Sequence, residues 1–216
     1  MAAVRPLGTA GCEHERALAA SGYTAIAGVD EAGRGAWAGP LVAAAVVLPT
    51  PDDPALARLE GLRDSKQLTP EQRDAYYTLI RQTARAVGLG IVEPDLLDAL
   101  GLGEAGRRAM AWAVQSLPLV PDFLLVDAYQ VPLDLPQRGL IFGDCLSLSI
   151  AAASVVAKVT RDRLMDELHR LYPCYGFDRH KGYGTREHQQ ALARHGPCLQ
   201  HRVSYGPIQA LLTSLA

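Results

Sequence analysis

The sequence predicts an α/β layered domain built on a mixed sheet, and three observations carry that reading. Two short apolar runs, residues 24–30 and 41–48, are separated by the turn at Gly39-Pro40 and read as an antiparallel hairpin. Strand-like and helix-like segments then alternate, the pattern of helices packed on a sheet. Two apolar runs end in acids, Asp30 and Asp127. If those strands are parallel neighbours, both carboxylates emerge at one carboxyl edge, where open α/β sheets hold ligands.

Taken in order, residues 1–12 read as a loose tail and 13–20 as a short helix. After the hairpin, residues 49–54 form a proline-bounded loop. Thr69-Pro70-Glu71-Gln72 opens a helix, with threonine as N-cap and proline at the first helical position. That helix runs to about residue 84. Residues 85–92 are a third strand. A helical stretch begins at Pro94 and another covers 101–116. Residues 122–127 are a short apolar strand set off by Pro121, and 139–142 a fifth. The longest helical pattern is 149–172, alanine-rich first and charged later; a further helix covers 185–195. No repeat, heptad or low-complexity segment interrupts this order.

At 216 residues the chain has ample length for one large hydrophobic core. Its longest apolar run is far too short to span a bilayer, and the start lacks the charged-then-apolar order of a signal peptide. Cys12, Cys145, Cys174 and Cys198 are scattered with no Cys-x-x-Cys, which predicts a reduced, cytoplasmic chain. A net charge of −2 shows no global basic footprint for nucleic acid. A carboxylate-rich metal site would cancel basic residues in that sum. The only lysines are Lys66, Lys158 and Lys181. A chain that otherwise uses arginine keeps lysine where a compact point charge fits better than a planar fork.

Residues 28–40 concentrate the chemistry. Asp30 and Glu31 stand where a buried strand meets a glycine turn, and carboxylates there are costly without a partner such as a divalent metal. The Gly33-Arg34-Gly35 turn can bring bare backbone amides close to a ligand. Successive strand residues face opposite sides, so Asp30 and Glu31 share one site only if the strand bends there. Asp144 precedes the long helix, either as an acid favoured by the helix dipole or as a further ligand, and spacing leaves both open. Such a carboxylate set suits Mg²⁺ or Mn²⁺. Two ions roughly 3.5–4 Å apart could stabilise both the attacking and leaving oxygens of a phosphoryl displacement.

Ser65 and Lys66 lie in a polar loop that could hold a phosphate or simply be solvated. Ser154 and Lys158 sit one helical turn apart in alanine-rich surroundings, which favours a packed core over a Ser–Lys hydrolase. Lys158 and Asp162 are spaced as an i,i+4 ion pair. Tyr183, flanked by Lys181 and glycines, could stack on a nucleotide or be a surface tyrosine in a glycine loop. His169, His180, His188, His195 and His201, with Cys174 and Cys198, match no compact zinc spacing and read mostly as surface or capping histidines.

In this order, GVDEAGRGAWAGPLVAAAVVLP, DSKQLTPEQR, LLVDAYQV, GDCLSLSIAAASVVAKVTRDRLM, YPCYGFDRHKGYGTREH and GPCLQHRVSYGP resemble the bacterial ribonuclease HII family. The resemblance covers about residues 22–208. It divides the chain into a tail and short helix (1–21), a catalytic domain with a helical C-terminal part (22–208) and a C-terminal tail (209–216). It implies a ribonuclease H-like fold, a mixed five-stranded sheet flanked by helices. The implied activity is endonucleolytic: cutting the RNA strand of RNA–DNA hybrids, and nicking duplex DNA on the 5′ side of embedded ribonucleotides, leaving 5′-phosphate and 3′-hydroxyl ends. The partner is then nucleic acid, with no membrane; the sequence leaves protein partners and oligomeric state open, a monomer among the choices.

The family's metal-binding acids fall on Asp30, Glu31, Asp127 and Asp144. Its reader of the ribose 2′-hydroxyl falls on Gly33, Arg34 and Gly35, and its stacking tyrosine on Tyr183. Lys66, Lys181 and Arg34, with Ser65, would hold substrate phosphates. The chain departs from the family at Ala128, where glycine is usual, and at Cys145-Leu146, where many members carry a basic residue. Two rivals share these features: another ribonuclease H-like DNA nuclease, and a non-catalytic hybrid-binding module.

Overall fold

The computed structural model describes residues 8–215, so most of the expected N-terminal tail lies outside the described residues. Five strands form one sheet in the order β3-β2-β1-β4-β5. They are β1 (Ile26–Ala32), β2 (Leu41–Val47), β3 (Ala86–Val92), β4 (Phe123–Asp127) and β5 (Gln137–Leu140). β1, β2 and β3 form the antiparallel meander, and β4 and β5 run parallel to β1. The sheet is therefore mixed, as the sequence predicts. Among the described residues no helix is long and apolar enough to cross a membrane.

Helices cover both faces. On one side α4 (Leu102–Gln115), preceded by α3 (Pro94–Leu100), buries Ala109, Met110 and Ala113 against Val29, Ala43, Ala45 and Val126. On the other, α6 (Leu148–Leu171) and α2 (Pro70–Thr83) pack on Ala44 and Val46 through Ala151, Val155 and Ile80. The strand alternation of period two decides which residue meets which layer. Small residues let α6 come close: a Cβ on Gly28 would stand 2.1 Å from the Ser149 carbonyl carbon. α2 begins as predicted. Thr69 Oγ1 accepts from the Gln72 N–H and Gln72 Oε1 accepts from the Thr69 N–H, a reciprocal cap.

Several expectations need correction. β1 runs two residues past Asp30, paired with β2 up to Ala32. The fifth strand lies at Gln137–Leu140, earlier than 139–142, because Phe142 adopts a left-handed conformation that ends any extended run. Two short helices, α5 (Gly143–Leu146) and α7 (Phe177–His180), were not anticipated; four residues are too few to show a periodicity. The boundary at residue 208 falls inside α9 (Gly206–Leu215). α1 (Glu13–Ala20) is part of the core: Leu18 packs with Ile26, Phe123 and Ile150, and Glu15 Oε1 accepts hydrogen bonds from Ser147 and Ser149.

The C-terminal elements α7, α8 (Arg186–His195) and α9 close around Phe177, with Met165, Leu192 and Ile208. His180, His188 and His201 are buried there, against the surface role expected for them. Burial pushes His188 and His201 down to about 4. Their titratable neighbours are each other, His180 and Cys198, and His180 lowers both further. The folded chain keeps both imidazoles neutral, whereas the unfolded chain takes up protons near pH 6.5. Their stability contribution is complete above that pH and is lost as pH falls toward about 4, by up to roughly 3 kcal/mol for each imidazole. Urea unfolding between pH 7 and pH 5 should show this fall, and His201→Gln should make it shallower. An equal slope in the variant would contradict the assignment.

Candidate active site

Asp30 and Asp127 meet because β1 and β4 are parallel and in register. Val29 pairs with Val126 as the last pair of that ladder, so the next residue of each strand, Asp30 and Asp127, stands at the same carboxyl edge. Both valines face α4, and alternation therefore turns Asp30 and Asp127 to the α6 side. α5 supplies Asp144. One carboxylate oxygen from each of the three lies within 4.8 Å of the others. Asp127 Oδ1 accepts from the Gly143 N–H at 2.8 Å, which ties the end of β4 to the start of α5. Asp30 Oδ1 accepts from the Glu31 N–H at 2.7 Å.

Two strained residues frame the cluster. Ala128, after Asp127, has φ 57°, and Phe142, before Gly143, has φ 59°. A side chain in this left-handed region costs about 1 kcal/mol or more. Alanine here takes a conformation natural to glycine, so the turn keeps a glycine-like shape at a cost. Cys145 is buried, and the Gln67 amide contacts its sulfur.

β1 keeps its pairing with β2 past Asp30, and Glu31 stands outside the three-oxygen cluster. It still lines the same cleft and pairs with Arg34, Nε to Oε1, at 3.5 Å. Burial, then repulsion from Glu31, Asp127 and Asp144, holds the Asp30 carboxyl well above the usual range. Burial pushes Glu31 up to about 7, with Arg34 and Lys66 opposing and Asp127 adding to the rise. Glu31 Oε2 is buried with no hydrogen-bond partner among the described residues. Desolvated, converging carboxylate oxygens are the donor set a hard divalent cation requires. The residues present therefore fit such an ion.

The cleft has a volume of about 440 Å³ and takes in Gly33, Arg34, Gly35, Ser65, Lys66 and Tyr183 beside the acids. Asp144 is buried behind it. Lys181 is not brought to the cluster: it pairs with Asp166 in an adjoining groove of about 870 Å³ that shares Lys158 and Tyr183 with the cleft. Lys66 is held by its backbone, whose N–H donates to Asp64 Oδ1 at 3.0 Å. Ser65 and Ser154 are joined through their hydroxyls at 2.9 Å. Lys158 pairs with Asp162 at 2.7 Å, as its spacing predicts, and also borders the cleft.

Sequence reasoning missed Arg161 and Arg202, both fully buried. Arg161 donates to the carbonyls of Pro40, Ala38 and Lys181 at 2.9, 3.1 and 3.0 Å. Arg202 donates to those of Gly39, Gly33 and Arg34 at 2.8, 2.7 and 3.2 Å. Burial lowers Arg161 to about 10, so it stays charged at neutral pH. Between them the two guanidinium groups hold the glycine loop from behind. The fit is close at Gly33, whose φ is +97° and where a Cβ would lie 2.1 Å from Arg161 Nε. Arg161 follows Lys158 in the charged half of α6, and no local signal separates a buried arginine from a solvated one there.

A mixed sheet with acids at the carboxyl ends of two adjacent parallel strands, joined by a third from the next helix, defines a ribonuclease H-like nuclease. The comparisons with known proteins narrow the class. The sequence profile described as Ribonuclease HII matches residues 27–207. A ribonuclease HII of Geobacillus kaustophilus is 55% identical over 92% of this chain and 75% of its own length. One from Chloroflexus aggregans is 51% identical over 92% of this chain and 94% of its own. The crystal structure of ribonuclease H2 from Pyrococcus horikoshii OT3 superposes with a TM-score of 0.74 at 25% identity, covering 88% of this chain and 97% of that one. The chain belongs to the ribonuclease HII family. It is a ribonuclease H-type endoribonuclease, a hydrolase acting on RNA–DNA.

Proposed function

We propose that this enzyme cuts the RNA strand of RNA–DNA hybrids and also nicks duplex DNA on the 5′ side of a single embedded ribonucleotide, leaving 5′-phosphate and 3′-hydroxyl ends. The convergence of Asp30, Asp127 and Asp144 within 4.8 Å, beside the Gly33–Gly35 loop, carries the reading. In it, Asp30, Asp127 and Asp144 hold metal, with Glu31 completing the set. Bound there, Mg²⁺ or Mn²⁺, two ions in this reading, supplies Lewis-acid stabilisation of the attacking and leaving oxygens.

The chain's own residues do the rest. The Gly33–Arg34–Gly35 backbone, fixed by Arg202, meets the ribose and reads its 2′-hydroxyl, the group that separates RNA from DNA. Lys66 and Arg34, with Ser65, place positive charge and hydrogen bonds at the cleft wall for the phosphates. Lys181 serves a phosphate further along, in the adjoining groove. Tyr183, where cleft and groove meet, stacks on a sugar or base. The enzyme acts as a monomer in the cytoplasm in this reading, and its four free cysteines suit a reducing compartment.

The test is a DNA duplex containing one ribonucleotide, incubated with Mg²⁺, Mn²⁺ or EDTA beside a hybrid and an all-DNA duplex. A metal-dependent nick 5′ to the ribonucleotide, with the all-DNA duplex untouched, is expected. Cutting of the all-DNA duplex would instead make the protein a general DNA nuclease. Binding without turnover would make it a hybrid-binding module.

A further inference from the structure

We infer that His188 is a positioning residue for Tyr183, acting as the last member of a buried, neutral histidine relay that starts at the Cys198 backbone. The inference rests on Tyr183 contacting substrate, as proposed above. It deepens that reading by saying what sets the tyrosine in place.

The relay follows from which atoms can donate. The Tyr183 carbonyl oxygen can only accept, and His188 Nδ1 lies 3.0 Å from it, so Nδ1 carries the proton. The neutral ring then offers a lone pair at Nε2. His201 Nε2 stands 3.0 Å away and must donate to it. That leaves His201 Nδ1 as an acceptor: the Cys198 N–H donates to it at 2.9 Å, nearer than the Cys198 carbonyl and Sγ, both at 3.3 Å. Every proton in the chain is thereby fixed. A proton added to His188 would force His201 to carry its own on Nδ1, giving up the 2.9 Å bond from the Cys198 N–H for the Cys198 carbonyl at 3.3 Å. His180 supports the relay from the side. Its ring stacks on His188 at 4.5 Å, its Nδ1 accepts from the Gly182 N–H, and its Nε2 donates to the Tyr175 carbonyl at 2.7 Å.

The carbonyl at the end of the relay also accepts from the Thr185 N–H at 2.8 Å. The Arg161 guanidinium lies 5.3 Å from the Tyr183 ring centre. Tyr183 is thus fixed at its backbone by the histidines and at its ring by α6. The two fixtures decide where the ring stands at the junction of cleft and groove. Since His188 is buried and does not itself line the cleft, its effect on substrate passes through Tyr183.

Asparagine at position 188 can place a donor where Nδ1 stood, whereas glutamine reaches only toward Nε2. His188→Gln is expected to raise KM for the ribonucleotide-containing duplex about tenfold, the value of one lost hydrogen bond. Its kcat should hold within about twofold, and His188→Asn should restore most of the KM. Nitrogen-15 NMR of the wild-type imidazoles should show His188 protonated on Nδ1, the less common tautomer, and His201 on Nε2. Equal KM values for the Gln and Asn variants, or His188 protonated on Nε2, would overturn the relay. Tyr183→Ala separates the two readings. If it leaves KM unchanged, the stacking role falls and takes the relay's function with it. If it raises KM while His188→Gln does not, only the relay falls.

Discussion

Asp30→Asn is expected to lower cleavage of an RNA–DNA hybrid by about 10³-fold or more, roughly 4 kcal/mol of barrier. The same substitution should make the metal-free protein more stable. Asp30 is buried among like charges, and its ionised form is disfavoured by desolvation and by Glu31, Asp127 and Asp144. Asparagine keeps the oxygen that accepts from the Glu31 N–H and removes the charge. A gain in stability in EDTA follows, read by urea unfolding. Added Mg²⁺ or Mn²⁺ should stabilise the wild type and do little for the variant, because a cation that binds only the folded state shifts unfolding by its own affinity. Hybrid binding should survive in the variant. A variant that unfolds would give Asp30 a structural role, and one that is equally active would remove it from the chemistry.

The second large effect is expected at the buried arginines. Arg161→Met and Arg202→Met should each cost about 3–5 kcal/mol in stability, measured by urea unfolding at pH 7. Methionine fills similar volume but leaves the carbonyls of Pro40, Ala38 and Lys181, or of Gly39, Gly33 and Arg34, without their donors. Both side chains lie away from the carboxylate cluster. A fall in cleavage by folded Arg202→Met therefore reports disorder in the Gly33–Gly35 loop, whereas Arg161→Met also loosens Tyr183, whose ring centre lies 5.3 Å from the guanidinium. Lysine should rescue poorly, since one ammonium cannot serve three carbonyls spread over two segments. A loss below about 1 kcal/mol in either methionine variant would mean that the loop is held by something else.

How far the sequence alone could go depended on whether a signal was local. The α2 start was legible to the residue, because Thr69, Pro70 and Gln72 each have one helical role and take it. β4 and α1 were placed closely for similar reasons. Asp30 and Asp127 were legible as a pair because both close apolar strands, and the parallel register of β1 with β4 brings them together. The alternation rule also stated the condition on Glu31. The strand stays paired through Ala32, and Glu31 lines the cleft outside the three-oxygen cluster. What stayed hidden was non-local. Arg161 and Arg202 bind carbonyls more than 100 residues away in the chain. His188 and His201 lie on different elements, and no spacing rule joins a donor on one to an acceptor on the other. Lys181 was placed by its neighbour Tyr183, yet its side chain turns to Asp166 on α6.

The clamp on the glycine loop also sets an order of assembly. The four acids all lie at or before residue 144, while Arg161, Lys181, Gly182 and Arg202 follow. The Trp37 N–H donates to the Gly182 carbonyl, and the Trp37 carbonyl accepts from the Arg202 N–H. A nascent chain, emerging N-terminus first, therefore presents all four carboxylates before any of the groups that hold the glycine loop. The acid cluster is encoded early and the clamp on the glycine loop late, so the growing polypeptide fixes the Gly33–Gly35 backbone only as its final segment folds back.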